Sequence, residues 1–211
     1  MDKSLALKGI RNIIFDLGNV IIDLDIQATD DKFSALFGLD RELAFQNLQH
    51  NNVFQQFEKG EIDANQFIAE LIKVSKNEIK DSQIIEAWNA MLLTIPDSRF
   101  ELLLQLKNRY RTFCLSNTNE LHASFIFNQL KATNGETSLN PYFEKVYLSH
   151  EIGMRKPDVE IFEKVIHDNN LIAEETLFID DTLGHLEGAK KLGIQTYHHL
   201  PGKEIVDLFR G

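Results

Sequence analysis

The sequence predicts an α/β protein: a parallel sheet covered by helices, interrupted after its first strand by an all-helical insertion. Three observations carry this. A strand-like apolar run, Ile13-Ile14-Phe15, ends at Asp16 and the turn Asp16-Leu17-Gly18-Asn19-Val20. From about residue 97 onward, short β-like runs alternate with helical patterns, as repeated βα units of a parallel sheet do. Between these zones, residues 27–94 carry Phe33, Phe37, Phe45, Phe54, Phe57, Phe67 and Trp88 among polar residues, with no strand-like run.

The first strand is thus expected to end at Asp16. In the insertion, Phe33, Leu36 and Phe37 have helical spacing, as do Phe67, Leu71 and Val74, and Gly38 and Gly60 mark turns. The aromatic stripes read as the insertion's own core. Short hinges are expected near 24–28 and 94–97. This divides the chain into 1–26 with 95–211 as one unit and 27–94 as the other. After Pro96 a helix is expected over 97–108, with Phe100, Leu103 and Leu104 on one face. A strand follows at 112–115, a helix at 120–130, a polar loop at 133–140 and a strand at 145–148. Pro157 opens a helix with Phe162, Val165 and Ile166 inward. A strand at 176–179 leads to a helix through Leu186 and Ala189, where Lys190-Lys191 suit the macrodipole and Gly193 is a stop. Residues 194–197 form a last strand.

Composition narrows the function. The chain has 211 residues, 43% hydrophobic, with 15 Phe, enough for a sizeable core. A formal net charge of −10 disfavours a nucleic-acid partner or an anionic membrane surface. No apolar run approaches a membrane span, and the start, Met1-Asp2-Lys3, carries no long apolar segment. A cytoplasmic location is expected. The single Cys114, inside Phe113-Cys114-Leu115, reads as a packed core thiol. His198-His199 lacks a third ligand at metal spacing and reads as a surface feature. No glycine-rich nucleotide loop is present.

The chemistry gathers at strand ends, where ligands bind in parallel α/β sheets. In chain order these ends carry Asp16, then Ser116 and Asn117, then Lys156 in a following loop, then Asp180 and Asp181. Each alone is an ordinary turn former, cap or surface charge; together they complement one another. Asp16 with Asp180-Asp181 forms a hard oxygen site suited to Mg²⁺. Ser116 and Asn117 can donate to phosphate oxygens, and Lys156 can neutralise charge on the phosphoryl group and on Asp16. Phosphoryl transfer needs this equipment for positioning and charge.

With these elements in hand, the chain resembles the haloacid dehalogenase superfamily of aspartate-nucleophile hydrolases. The resemblance rests on Phe15-Asp16, Leu115-Ser116-Asn117, Gly153-Met154-Arg155-Lys156-Pro157-Asp158 and Phe178-Ile179-Asp180-Asp181. Within it, the spelling is similar to bacterial sugar-phosphate phosphatases of the alpha-glucose-1-phosphatase type. The resemblance implies a Rossmann-like core with a helical cap after the first strand. It places the Asp16 strand between those bearing Ser116 and Asp180. It also implies a Mg²⁺-dependent phosphatase acting on a small phosphorylated metabolite through an aspartyl-phosphate. Asp16 would be nucleophile and metal ligand, with the Gly18 carbonyl a second ligand. Ser116, Asn117 and Lys156 would hold phosphate, and Asp181 would be the direct ligand, with Asp180 beside it.

Two departures stand out. Most phosphatases of the superfamily carry an acid–base carboxylate two positions after the nucleophile, where this chain has Gly18; Asp23, Asp25 and Glu58 are the candidate substitutes. His185 stands four residues after Asp181, where relatives often have Asp or Asn. It is read as structural, or else as a hydrogen-bond partner of a metal-bound water. Two competing functions remain open at this point. One is a metal-independent 2-haloacid dehalogenase-like hydrolase, against which the Asp180-Asp181 pair argues. The other is a catalytically weak phosphometabolite-binding protein, supported by Gly18.

Overall fold

A computed structural model describes residues 7–38, 41–75 and 77–210; Met1, Asp2 and Lys3 lie outside the described residues. The central sheet has five parallel strands in the order β3-β2-β1-β4-β5. They are β1 (Asn12–Phe15), β2 (Arg111–Ser116), β3 (Lys145–Leu148), β4 (Thr176–Asp180) and β5 (Gln195–His198). β1 is central, pairing Phe15 with Cys114 of β2 on one side and with Ile179 of β4 on the other. All four β1 residues are buried, as a strand covered on both faces requires.

Side chains alternate between two cores, following the two-residue period of a strand. Ile13, Phe15, Cys114 and Ile179 join one cluster, beneath α6 (Asp97–Leu106), α7 (Glu120–Asn134) and α11 (Ile205–Leu208). Ile14, Phe113, Leu115 and Phe178 join the other, beneath α9 (Val159–Asp168) and α10 (Leu183–Lys190). The expected strand order is therefore the observed one, and Cys114 is a buried free thiol.

Between β1 and α6 lie only helices among the described residues: α1 (Ile26–Phe37), α2 (Arg41–His50), α3 (Val53–Glu58), α4 (Ala64–Val74) and α5 (Asp81–Asn89). Phe33, Phe37, Phe57, Phe67 and Leu71 form a third apolar cluster, with Phe57 and Phe67 stacked at 4.1 Å. A capping box starts α4: Asp63 accepts from the Gln66 N–H while the Gln66 side chain accepts from the Asp63 N–H. Where the chain leaves and re-enters the sheet unit, the two crossing segments pair. The Asp25 N–H donates to the Met91 carbonyl at 2.8 Å and the Leu93 N–H to the Asp23 carbonyl at 3.1 Å.

Four expectations are corrected. α7 runs four residues past 130, because its last, polar turn leaves no trace in the apolar period. A one-turn helix, α8 (Ser149–Ile152), follows β3 and is too short to show periodicity; the same holds for α11. Leu104 is 49% exposed, while Leu102 takes the inward position. His199 is buried at 3% exposure, so the His198-His199 pair is not a surface feature.

Candidate active site

The carboxyl ends of β1, β2 and β4 bring Asp16, Ser116 and Asp180 to one edge of the sheet, and the loop between α8 and α9 adds Lys156. Lys156 is fully buried, and its Nζ lies 2.8 Å from Asp16 Oδ1 and 2.7 Å from Asp180 Oδ2. A buried ion without partners costs several kcal/mol; two carboxylates offset this, and they hold the Lys156 pKa above its usual value despite burial. Burial pushes the Asp16 pKa up to about 6, helped by Asp180 and opposed by Lys156. Asp180 goes the other way. Burial would raise it, but Lys156 and His185 together hold it below the usual carboxylate range.

The oxygens are not equivalent. Asp16 Oδ1 accepts from Lys156 and from the Leu17 N–H at 2.7 Å, while Oδ2 has no hydrogen bond among the described residues. Both Asp180 oxygens are committed: Oδ1 accepts from the Thr182 N–H at 2.7 Å, and His185 Nδ1 lies within 3.1 Å of both. The Asp181 carboxylate accepts from Asn19 Nδ2 at 2.9 Å and from the Thr182 hydroxyl at 3.1 Å. Ligand atoms of Asp16, Asp180 and His185 lie within 4.8 Å of one another. Asp181 is not in that cluster, and Asp180 is spent largely on Lys156 and His185.

Asn117 clamps the lysine. Its Nδ2 donates to the Lys156 carbonyl and its Oδ1 accepts from the Lys156 N–H, both at 2.8 Å. Ser116, 4% exposed, lines a cavity of about 230 Å³ with Gly18, Asn117 and, from the insertion, Glu58 and Trp88. Of the candidate substitutes for the missing acid, Asp23 pairs with Arg99 at 2.9 Å and Asp25 caps α1 through the Ala28 N–H. Only Glu58 of the three lines the cavity.

Several residues here escaped sequence reasoning. Asn19, at φ 54°, ties Asp181 to the first turn through Nδ2 and accepts from the Leu24 N–H through Oδ1. An Asn directly after the glycine of the turn was the available signal. Trp88, Asn119 and His122 form a closed network. The Asn119 oxygen accepts from Trp88 Nε1 at 3.2 Å and from the His122 N–H at 3.1 Å, and His122 Nε2 meets the Trp88 carbonyl at 3.0 Å. Nothing in the sequence spacing joins residues from 88 to 122.

The chain matches the haloacid dehalogenase-like hydrolase family over residues 10–193. It belongs to that family. A D-ribitol-5-phosphate phosphatase of Bacteroides thetaiotaomicron is 31% identical over 188 residues, covering 89% of this chain and 91% of the relative. A family enzyme of the same organism, solved with magnesium and inorganic phosphate, superposes with a TM-score of 0.82 at 36% identity, covering 95% of this chain and all of that one. A family hydrolase of Porphyromonas gingivalis superposes with a TM-score of 0.81 at 32% identity, over 96% and 98% of the two chains. The expectations of a Rossmann-like core and of this superfamily are met. No helix among the described residues is long and apolar enough to cross a membrane.

Proposed function

We propose that this haloacid dehalogenase-like phosphatase hydrolyses a small sugar or sugar-alcohol phosphate, with Mg²⁺, through an aspartyl-phosphate on Asp16. The observation that carries this reading is the asymmetry of Asp16. Oδ1 is pinned by Lys156 and Leu17, Oδ2 is unbonded among the described residues, and the next two residues, Leu17 and Gly18, line a cavity together with Ser116. A carboxylate fixed by one oxygen and open at the other is oriented for attack on phosphorus. The relative that acts on D-ribitol 5-phosphate supports the substrate class, and the magnesium and phosphate complex of a similar enzyme supports the cofactor.

Each residue has a place in the reaction. Lys156 holds the nucleophile's orientation and offsets charge as the phosphoryl group approaches. Asn117 keeps Lys156 in register, and the Ser116 hydroxyl donates to a phosphoryl oxygen. Asp16, the Gly18 carbonyl and Asp181 would hold the metal, with Asp180 and His185 close to Asp16. Mg²⁺, when bound, neutralises charge between the Asp16 carboxylate and the substrate's phosphate oxygens. The helical insertion acts as a cap that excludes bulk water and shapes the leaving-group pocket through Trp88.

A panel of phosphate monoesters assayed with Mg²⁺ and with EDTA tests the reading. Turnover is expected with Mg²⁺, lost with EDTA and restored by adding the metal back, and Asp16→Asn should abolish it while leaving the circular dichroism spectrum intact. Near wild-type turnover by Asp16→Asn, or full activity in EDTA, would overturn it.

A further inference from the structure

We infer that Glu58 is the general base that activates water against the aspartyl-phosphate, supplying from the insertion the proton acceptor that Gly18 lacks. The inference rests on the aspartyl-phosphate reading and adds a catalytic residue to it. Glu58 and His122 are the titratable side chains lining the cavity beside Gly18 and Ser116. His122 is consumed internally, its Nδ1 facing Asn119 Nδ2 and its Nε2 the Trp88 carbonyl. Glu58 lines the cavity, and both Arg155 contacts, from Nε and from the terminal nitrogen, fall on its Oε2 at 2.8 Å. Oε1 carries no hydrogen bond among the described residues. Arg155 holds Oε2 alone, which leaves Oε1 as the oxygen that can take a proton from water.

The position is built at the backbone as well. The Ser149 hydroxyl donates to the Glu58 carbonyl at 2.6 Å, and the same oxygen accepts from the Thr118 N–H in the loop after Ser116. Arg155 directly precedes Lys156, so the residue that orients the base and the residue that orients the nucleophile are chain neighbours. Lys59 adds an ion pair to Asp158 at 3.6 Å. Glu58 is thus tied to the same loops that hold Asp16 and Ser116 in register.

The step balances. Water attacks phosphorus as its proton passes to the Glu58 carboxylate. The bond between phosphorus and the Asp16 oxygen breaks, and inorganic phosphate leaves with Asp16 restored as a carboxylate. Glu58 then returns its proton to solvent.

The test is pre-steady-state turnover of p-nitrophenyl phosphate with Mg²⁺ by wild type and Glu58→Gln. The variant should keep kcat/KM, which reports steps through phosphorylation of Asp16. Its kcat should fall by ~10²–10⁴-fold, the usual worth of a general base. A burst of about one p-nitrophenolate per site should precede the slow phase, with phosphate trapped on the protein. Parallel losses of kcat and kcat/KM without a burst would make Glu58 a substrate-holding residue and overturn the inference, as would an unchanged kcat. If Gln disturbs folding, Glu58→Asp carries the same test, with a burst and an intermediate steady rate expected. Failure of the aspartyl-phosphate reading itself would show separately, as turnover by Asp16→Asn and no trapped phosphate in any variant.

Discussion

Gly18 stands two residues after Asp16, where the superfamily resemblance implies an acid–base carboxylate, and its surroundings say what placing an acid there would do. It does not occupy the left-handed region, so a side chain meets no backbone penalty. An added Cβ would come within 2.9 Å of Leu24 Cδ1, the movable end of a flexible side chain. Gly18→Asp should therefore fold. An alkoxide leaving group needs a proton and p-nitrophenolate does not, so the variant should raise kcat for alkyl phosphates more than for aryl phosphates, by up to ~10²-fold. Steady-state kinetics on matched alkyl and aryl esters decide this; equal gains, or none, mean that the leaving group already receives its proton elsewhere. The chain order of Asp16, Ser116, Lys156 and Asp180 was legible because each follows a strand, and strand ends converge in a parallel sheet. The division of labour was not. That Asn117 clamps the Lys156 backbone, and that Asp180 rather than Asp181 holds the Lys156 ammonium, depends on side-chain directions that chain order does not encode.

At the scale of elements, the turn between α3 and α4 joins insertion and core. Gly60 has φ +66°, and an added Cβ would fall 2.2 Å from the His150 carbonyl oxygen, a backbone atom that cannot swing aside. Gly60→Ala should therefore lift this turn from α8 and carry Glu58 away from the cavity. The three apolar clusters contain no atom of Gly60, so the fold should survive with a loss of ~1–3 kcal/mol, typical of a residue forced into a sparsely populated conformation. kcat and kcat/KM should fall together, at least tenfold, because both half-reactions lose their enclosure. That contrasts with the selective loss of kcat expected for Glu58→Gln. Thermal melting alongside kinetics checks both claims; a Gly60→Ala enzyme with unchanged kinetics would show that the close approach is dispensable. Sequence reasoning marked Gly60 as a turn. It gave no sign of the approach to His150, because α8 is a single helical turn without a periodic signature.

Across the whole molecule, sheet unit and insertion each have an apolar core, and both apolar and polar contacts join them, Leu121 of α7 packing against the insertion's cluster. The alternation of apolar runs foretold both cores, since burial of a strand on two faces and of a helix on one leaves a periodic trace. The junction left none, because its partners lie far apart in sequence. There, His122 at the start of α7 stacks on Trp88 at the end of α5, with ring centroids 5.1 Å apart, and Asn119 bridges them. Burial pushes the His122 pKa down from 6.5 to about 4, only partly opposed by its hydrogen bond to the Trp88 carbonyl. The folded protein thus keeps this histidine neutral where the unfolded chain protonates it. Between pH 6.5 and about 4 the unfolded state binds more protons, so stability from this site is full above pH 6.5 and is lost as pH falls through that window. At about 1.4 kcal/mol per pKa unit, the loss reaches ~3 kcal/mol. His122→Gln should be less stable than wild type at pH 7.5, having lost the stack on Trp88, yet should lose less on acidification. The two urea midpoints should therefore converge toward pH 4. Parallel midpoints across the window would mean that His122 titrates alike in both states, and that the junction owes its acid sensitivity to other groups.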